Sequence, residues 1–366
     1  MKRLLCVNSN MNAGGAETFL MKIYRALDKS RYQMDFCINV EGKNFYEDEI
    51  NAMGGKVYKI PSKSENVKIF KKELARIVKE GQYKYVLRIT SNALGFMDLK
   101  VAKKAGAVRC CARSSNSSDG AGLKVKIAHR LGKLLYKKYV DVKIAPSELA
   151  AKYTFGEKAY NKGQVHKLNN ALDLNVFKYD ESWRNEVRAE FGLSQDTLVV
   201  GHVGRFYPQK NHDFLLDVFN EIRKKKPNSV LVLVGNGLLE EKIKEKAKRL
   251  GLEDCIIYAG VRKDVSRVLC AFDVFVFPSF YEGMPNTVIE AQSTGLPCVI
   301  ADTITREANI TGLVKYLSLN DSAEKWADEA LSTQNCQRKN TYNDFVDNGY
   351  DIEGTANRFT QIIFGE

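Results

Sequence analysis

The sequence has no apolar run approaching the ~18 residues of a membrane-spanning helix, and the run inside its opening MKRLLCVNSN is too short for a secretory signal. The expectation is a cytoplasmic protein. Proline is scarce, at 7 residues, and no Gly/Ser, Pro or Gln tract marks a disordered stretch. No segment recurs at the period of a solenoid. The eight cysteines, at 6, 37, 110, 111, 255, 270, 298 and 336, lie mostly inside apolar runs and show no metal-ligand spacing. They read as buried free thiols in a reducing compartment. G-x-G-x-x-G is missing, which argues against a dehydrogenase. D-x-D is missing too, so no carboxylate motif for a catalytic metal is present.

What remains is an ordinary globular composition, 10% aromatic and 27% charged. At 366 residues the chain is long for one hydrophobic core, and two domains are expected. Its charge of +12 is unevenly placed: residues 1–167 hold 33 Lys and Arg against 15 Asp and Glu, and the remainder holds 23 against 29. The two halves therefore face different partners.

Short apolar runs alternate with helix-period segments along almost the whole chain, the pattern of parallel strands joined by crossover helices. Strands are expected at RLLCVN, QMDFCIN, KVYKIP, YKYVLRIT, AVRCCA and VDVKIA, and then at TLVVGHVG, SVLVLVG, CIIYAG, DVFVFPS and PCVIAD. The fold class is α/β, with two doubly wound parallel-sheet domains. They span 1–170, strongly basic, and 171–366, with the last helix available to pack back on the first domain. In such folds ligands sit beyond the carboxyl ends of the strands, and the cleft between domains is the default site.

The stretch PSFYEGMPNTVIEAQSTGLP carries most of the chemistry. DVFVFPS reads as a buried strand, Pro285 fits the first position of a helix, and Gly295 ends it. The N–H groups of Gly283, Met284, Asn286 and Thr287 would then form an anion site at a positive dipole end. Glu290, three and four positions after Thr287 and Asn286, shares their face and suits ribose hydroxyls. Glu282 precedes the helix and suits a sugar on the other side of a phosphate. The competing reading is a solvated loop carboxylate and an exposed helix charge. Upstream, in GHVGRFYPQKNHDFLL, Arg205 follows a strand and Lys210 precedes a helix, a pair of cations able to hold a diphosphate. Either taken alone is an ordinary surface cation. The loops VGNG, with Gly235 and Gly237, and AGVRKDV, with Val261 and Arg262, follow further strands and permit close approach to a nucleotide. Gly14 and Gly15 do the same in the first half, with an ordinary strand-to-helix turn as the alternative.

Together these motifs resemble glycosyltransferase family 4, the retaining nucleotide-sugar transferases of GT-B fold, and most of all the branch that makes bacterial capsular and exopolysaccharides. The resemblance runs from GGAE at Gly14–Glu17 through IAPSELAAKYTFGEK and VHKLNNALDLNVF to the two motifs above. It implies that Arg205 and Lys210 hold the donor diphosphate and Glu290 the ribose. Glu282 and the backbone of residues 283–287, Pro285 included, would hold the donor sugar, with Gly15 on the phosphate. It further implies a UDP-sugar donor ahead of a GDP-sugar, a glycan or lipid-linked acceptor, and no cofactor or metal. One departure stands out: where relatives commonly carry histidine, in a stretch like HSHN, this chain reads CARSSN, with Arg113 and Ser115 in those places. These two are candidate acceptor or sugar contacts.

In GLKVKIAHRLGKLLYKKYV, Leu123, Ile127, Leu131 and Leu134 recur at helical spacing beside six Lys and Arg. The segment reads either as a peripheral dock on anionic lipid or as a core-facing helix with solvated lysines. No reader motif accompanies the basic charge, which argues against nucleic acid. The rival functions are a UDP-sugar epimerase and a non-catalytic nucleotide-sugar binder or scaffold.

Overall fold

The computed structural model describes residues 1–12, 14–115, 123–333 and 337–366, the side chains of 123–125 excepted. The chain divides into two compact units, Met1–Ala171 with Gly349–Glu366, and Leu172–Asn348. The second half is thus shorter than 171–366, because the closing segment is counted with the first unit.

In the first unit the strands are β1 (Lys2–Val7), β2 (Tyr32–Ile38), β3 (Val57–Lys59), β4 (Tyr85–Thr90), β5 (Arg109–Ser114), β6 (Val142–Ala145) and β7 (His166–Lys167). They form one parallel sheet in the order 3-2-1-4-5-6-7. Alternate residues of each strand feed opposite faces, as the period-2 pleat requires. Leu4 and Cys6 join a cluster with Phe19, Leu20 and Ile23 of helix Gly15–Ala26 and with Phe359 and Ile363 of helix Ile352–Phe364. Leu5 and Val7 join Phe70, Leu74 and Ile77 of helix Lys63–Glu80 and Phe96 and Leu99 of helix Phe96–Lys104. The terminal helix is therefore part of this unit's core. Its Phe364 stacks on Tyr32 at 5.0 Å between ring centroids.

The second unit holds β8 (Leu198–Val203), β9 (Ser229–Val234), β10 (Ile256–Gly260), β11 (Val274–Phe277), β12 (Cys298–Ala301) and β13 (Val314–Leu317), all parallel, in the order 10-9-8-11-12-13. The strand order reverses between β8 and β11, the switch point at which crossovers leave to opposite faces and open a crevice beyond the strand ends. β13 was not anticipated. It is an edge strand of four residues with only Val314 buried, too short and too mixed to stand out from a loop. All seven described cysteines are buried free thiols.

Gly201, in the middle of β8, shows how closely this sheet is packed. A Cβ built there would fall 1.9 Å from the Phe272 ring. Phe272 is fully buried and has nowhere to move. Gly201→Ala should therefore destabilise the second unit by about 3 kcal/mol or more, at or beyond the upper end for overpacked cores. Urea unfolding monitored by the fluorescence of Trp183 and Trp326 measures this, and an unchanged midpoint would contradict the packing.

Candidate functional site

The residues that the sequence singled out in the second unit gather at the carboxyl ends of β8, β9, β10 and β11. The loops there are tied by backbone bonds. Gly204 N–H donates to Val234 O at 2.9 Å, Phe206 N–H to Asn236 O at 2.8 Å, and Gly235 N–H to Gly260 O at 2.7 Å. Such lacing needs near contact between chains. A Cβ on Gly235, whose φ is +135°, would lie 2.2 Å from Gly204 O, and one on Gly237 would lie 2.6 Å from Phe206 O. Both glycines are thus explained by packing of one loop on another, with no ligand required. Arg262 is likewise engaged by protein: it pairs with Glu190 at 2.5 Å and Asp264 at 2.8 Å, and these carboxylates raise its pKa. Its neighbour Val261 is 69% exposed.

The switch point itself brings Lys210 and Glu282 together. Lys210 ends a short 3-10 turn, Pro208–Lys210, after β8; Glu282 lies in the loop after β11. Their side chains pair at 2.7 Å and are only 16% and 10% exposed. The ammonium also lies 4.5 Å from the centre of the Phe277 ring. Gln209 fastens the same two loops, accepting from Phe280 N–H at 2.9 Å and donating to Tyr281 O at 2.8 Å. Arg205 is exposed, with its guanidinium 5.0 Å over Tyr207.

Helix Asn286–Ser293 starts beside this pair. Pro285 is its N-cap, at φ −80° and ψ 87°, and not its first helical residue as the sequence suggested. The first bonds run from Val288 and Ile289 N–H to Pro285 O, at the positive end of the helix dipole. Met284 packs part of its side chain on the core. Thr287 Oγ1 is buried and has no hydrogen-bond partner among the described residues. Glu290 lies on the same helix one turn further on, partly exposed. At the helix's other end is a cavity of about 330 Å³ that Ser293 and Arg338 help to line. Arg338 there donates to Thr294 O and Leu269 O, so its charge serves two helix ends.

Beneath Lys210 sits a feature the sequence reading missed. His202 and His212 are buried with ring centroids 4.7 Å apart, among Phe206, Phe275 and Phe277. His202 Nδ1–H donates to Val276 O at 2.9 Å, because a carbonyl only accepts. Burial lowers both pKa values, that of His212 to about 4, with Lys210 adding to the effect. The signal was there in GHVG and KNHDF, two histidines next to the anion-binding candidates.

In the first unit, Gly15 opens helix Gly15–Ala26 and is exposed. The Glu17 carboxylate folds back so far that a Cβ on Gly14 would lie 2.5 Å from it. Asn8 Nδ2 donates to it at 3.2 Å, while burial raises its pKa. Arg113 is buried at the end of β5. Its guanidinium lies 3.6 Å over Phe19 and donates to Asn170 Oδ1 at 2.5 Å and Leu168 O at 3.4 Å. Burial alone pushes its pKa down to about 9. Ser115 is exposed, its N–H on Thr90 O. The structure therefore splits these two candidates: Ser115 is accessible, and Arg113 is taken up by the core. Helix Leu123–Tyr136 presents Ile127, Leu131, Leu134 and Leu135 outward, at 48–80% exposure. It packs through His129 and Gly132 on Ala93, so a core-facing apolar stripe is ruled out. No helix among the described residues is long and apolar enough to cross a membrane.

Residues 197–334, which hold the switch-point site, match the family described as glycosyl transferases group 1. The putative glycosyltransferase EpsF of Bacillus subtilis (strain 168) is 35% identical over 334 residues, 89% of this chain and 86% of its own. The chain belongs to the group 1 glycosyltransferases. This glycosyltransferase is also 24% identical, over 79% of its length and 76% of the relative's, to the Escherichia coli UDP-Gal:alpha-D-GlcNAc-diphosphoundecaprenol alpha-1,3-galactosyltransferase. Among solved structures it superposes on Anabaena Alr3699/HepE, determined in complex with UDP. The TM-score is 0.71 at 17% identity, over 99% of this chain and 96% of that one, and the shared fold is GT-B.

The buried histidines give the glycosyltransferase an acid limit. In the unfolded chain they take up protons near pH 6.5, whereas the folded chain resists until about pH 4 for His212. The unfolded state therefore binds more protons in that window, and stability falls as pH drops through it, by about 3 kcal/mol for His212. Urea midpoints at pH 7.5 and 4.5 should converge in His212→Phe relative to wild type. Equal acid losses in both proteins would rule out the buried imidazole as the cause.

Proposed function

We propose that this glycosyltransferase moves a hexose, with retention of configuration, from a UDP-sugar to a glycan acceptor carried on lipid, in the synthesis of a cell-surface polysaccharide. The observation that carries the proposal is the meeting of Lys210 and Glu282 at the switch point, beside Arg205 and the open end of helix Asn286–Ser293. Arg205, Lys210 and the helix N-terminus, with the unpartnered Thr287 hydroxyl, stabilise the negative charge that builds on the departing diphosphate. Two cations and a dipole meet that need without a metal ion. Glu282, held by Lys210, is placed to meet a hydroxyl of the donor sugar. Glu290 takes the ribose. The acceptor hydroxyl attacks from the face that the diphosphate leaves, and the leaving phosphate oxygen receives its proton. The protein's part is positioning and charge stabilisation. The lipid-linked acceptor and the UDP donor follow the named activity of the Escherichia coli relative and the UDP bound by the Anabaena structure.

One observation favours a second reading, a nucleotide-sugar binder without turnover. Arg113 replaces a histidine of the family's pattern and is engaged inside the first unit.

Calorimetry in EDTA separates these readings from failure of both. UDP should bind wild type more tightly than GDP, and Glu290→Ala should weaken it by more than about 1 kcal/mol, as for loss of a hydrogen bond to a charged group. Binding without release of UDP from any donor sugar supports the second reading. No binding of either nucleotide rejects both.

The outward face of helix Leu123–Tyr136 supports action at the inner surface of an anionic membrane. Lys126, Arg130, Lys137 and Lys138 are exposed around its apolar stripe, and each basic residue near such a surface contributes about 1 kcal/mol. Wild type should sediment with phosphatidylglycerol vesicles and not with phosphatidylcholine vesicles, and Leu131→Glu/Leu134→Glu should remain in the supernatant. Equal sedimentation of the variant would end the docking proposal.

A further inference from the structure

The cavity of about 330 Å³ at the carboxyl end of helix Asn286–Ser293 shares no residue with the donor site, and the charges around it do not balance. Its walls come mainly from two connecting stretches, residues 174–179 and 338–342. Around Arg338, three guanidinium groups gather on the last carbonyls of helix Val265–Ala271. Arg184 reaches Cys270 O at 3.4 Å, Arg188 reaches Ala271 O at 3.1 Å, and Arg338 reaches Leu269 O at 3.2 Å. Among the described residues one carboxylate, Asp273, pairs with this group, with Arg184 at 2.8 Å and Arg188 at 3.4 Å. Arg338 forms no ion pair there, and its second helix end is Thr294 O at 3.0 Å. A helix end carries about half a negative charge, so two ends and one carboxylate offset about two of the three guanidinium charges. A positive charge is left at the cavity wall. Burial pushes the Arg338 pKa down to about 10, with Arg184 adding to the effect, as befits a cation short of negative neighbours.

The rest of the wall does not supply the missing charge. Lys178 is exposed, forms no ion pair among the described residues, and is tethered by its carbonyl, which accepts from Cys270 Sγ at 3.4 Å. Lys339 is neutralised by Asp344 at 2.9 Å. The nearest acidic residues in sequence are engaged: Asp180 caps its own helix through Ser182 N–H at 2.9 Å, and Glu181 accepts from the Tyr179 hydroxyl.

Volume and donors narrow the ligand. The cavity lies at the low end of the range for small-molecule sites, more than a bare ion needs. A planar carboxylate is best met by a guanidinium fork, and both Nη atoms of Arg338 already hold carbonyl oxygens. A doubly charged tetrahedral group gains instead from summed charge, of which Lys178 and Arg338 are the source. The amides of Asn175 and Asn340 suit hydroxyls, and the rings of Tyr179 and Tyr342 suit a C–H face. We propose that this cavity binds the phosphate monoester of a small polyol, with Lys178 and the charge of Arg338 meeting the phosphate. The site is independent of the donor reading.

Calorimetry on the full chain tests it, with α-glycerophosphate, inorganic phosphate and glycerol as probes. α-Glycerophosphate should bind more tightly than inorganic phosphate, glycerol should give no heat, and saturating UDP should leave the affinity unchanged. Lys178→Gln should weaken binding about fivefold, as for loss of one charge-assisted bond, and Lys178→Arg should retain it. An exposed side chain without an ion pair leaves the fold intact when replaced, which an unchanged thermal midpoint verifies. No binding of α-glycerophosphate to wild type, equal binding of inorganic phosphate, or an undiminished affinity in Lys178→Gln overturns the proposal. Displacement by UDP places the phosphate in the donor site and also overturns it. A chain that binds α-glycerophosphate and not UDP upholds the cavity and rejects the donor reading.

Discussion

Lys210 and Glu282 lie 72 residues apart in sequence and meet at 2.7 Å, largely shielded from water. A shielded ion pair adds little net stability by itself, because desolvation consumes most of the Coulomb gain. It has to be held in place by other parts. Here those parts are the closely packed loops after β8 and β11, the Gln209 bridge between them, and the Phe277 ring under the ammonium. The buried imidazoles below remain neutral at ordinary pH, which spares Lys210 a neighbouring positive charge. The pair is thus a fixed arrangement of charge in the folded second unit.

The same economy explains which glycines matter. Gly235 and Gly237 allow the loop after β9 to approach the loop after β8 at backbone distance, and Gly201 lets Phe272 press against β8. These contacts keep the ends of adjacent strands level, so that loops from β8 and β11 can converge. The first unit uses a different device. There the Glu17 carboxylate occupies the start of helix Gly15–Ala26, and Arg113 spends its donors on Asn170 and Leu168 close to where the chain leaves the unit.

The amphipathic helix is the clearest case of a pattern with two readings. Leu–Ile–Leu periodicity with basic flanks fits a core helix as well as a surface one. Gly132 decides between them: it sits against Ala93, where a Cβ would fall 2.4 Å from the backbone, and this turns the opposite, apolar face outward. The charge balance of residues 1–167 gives that face its setting.

Much of this protein was determined by sequence alone. Alternating apolar runs and helical segments fix two parallel α/β sheets, since period and length are local properties of the chain. Motif spacing singled out Arg205, Lys210, Glu282 and Glu290 as candidates. Local pattern did not reveal β13, because an edge strand of four residues buries too little to leave a period. It placed Pro285 one position too far into the helix. Only the tertiary structure showed the loop packing at Gly235 and Gly237, the two carboxylates on Arg262, and the buried ring beneath Arg113. It also paired Lys210 with Glu282 and buried His202 beside His212. Such pairings depend on which strands become neighbours, and the strand order 10-9-8-11-12-13 is a property of the folded sheet rather than of any stretch of the chain.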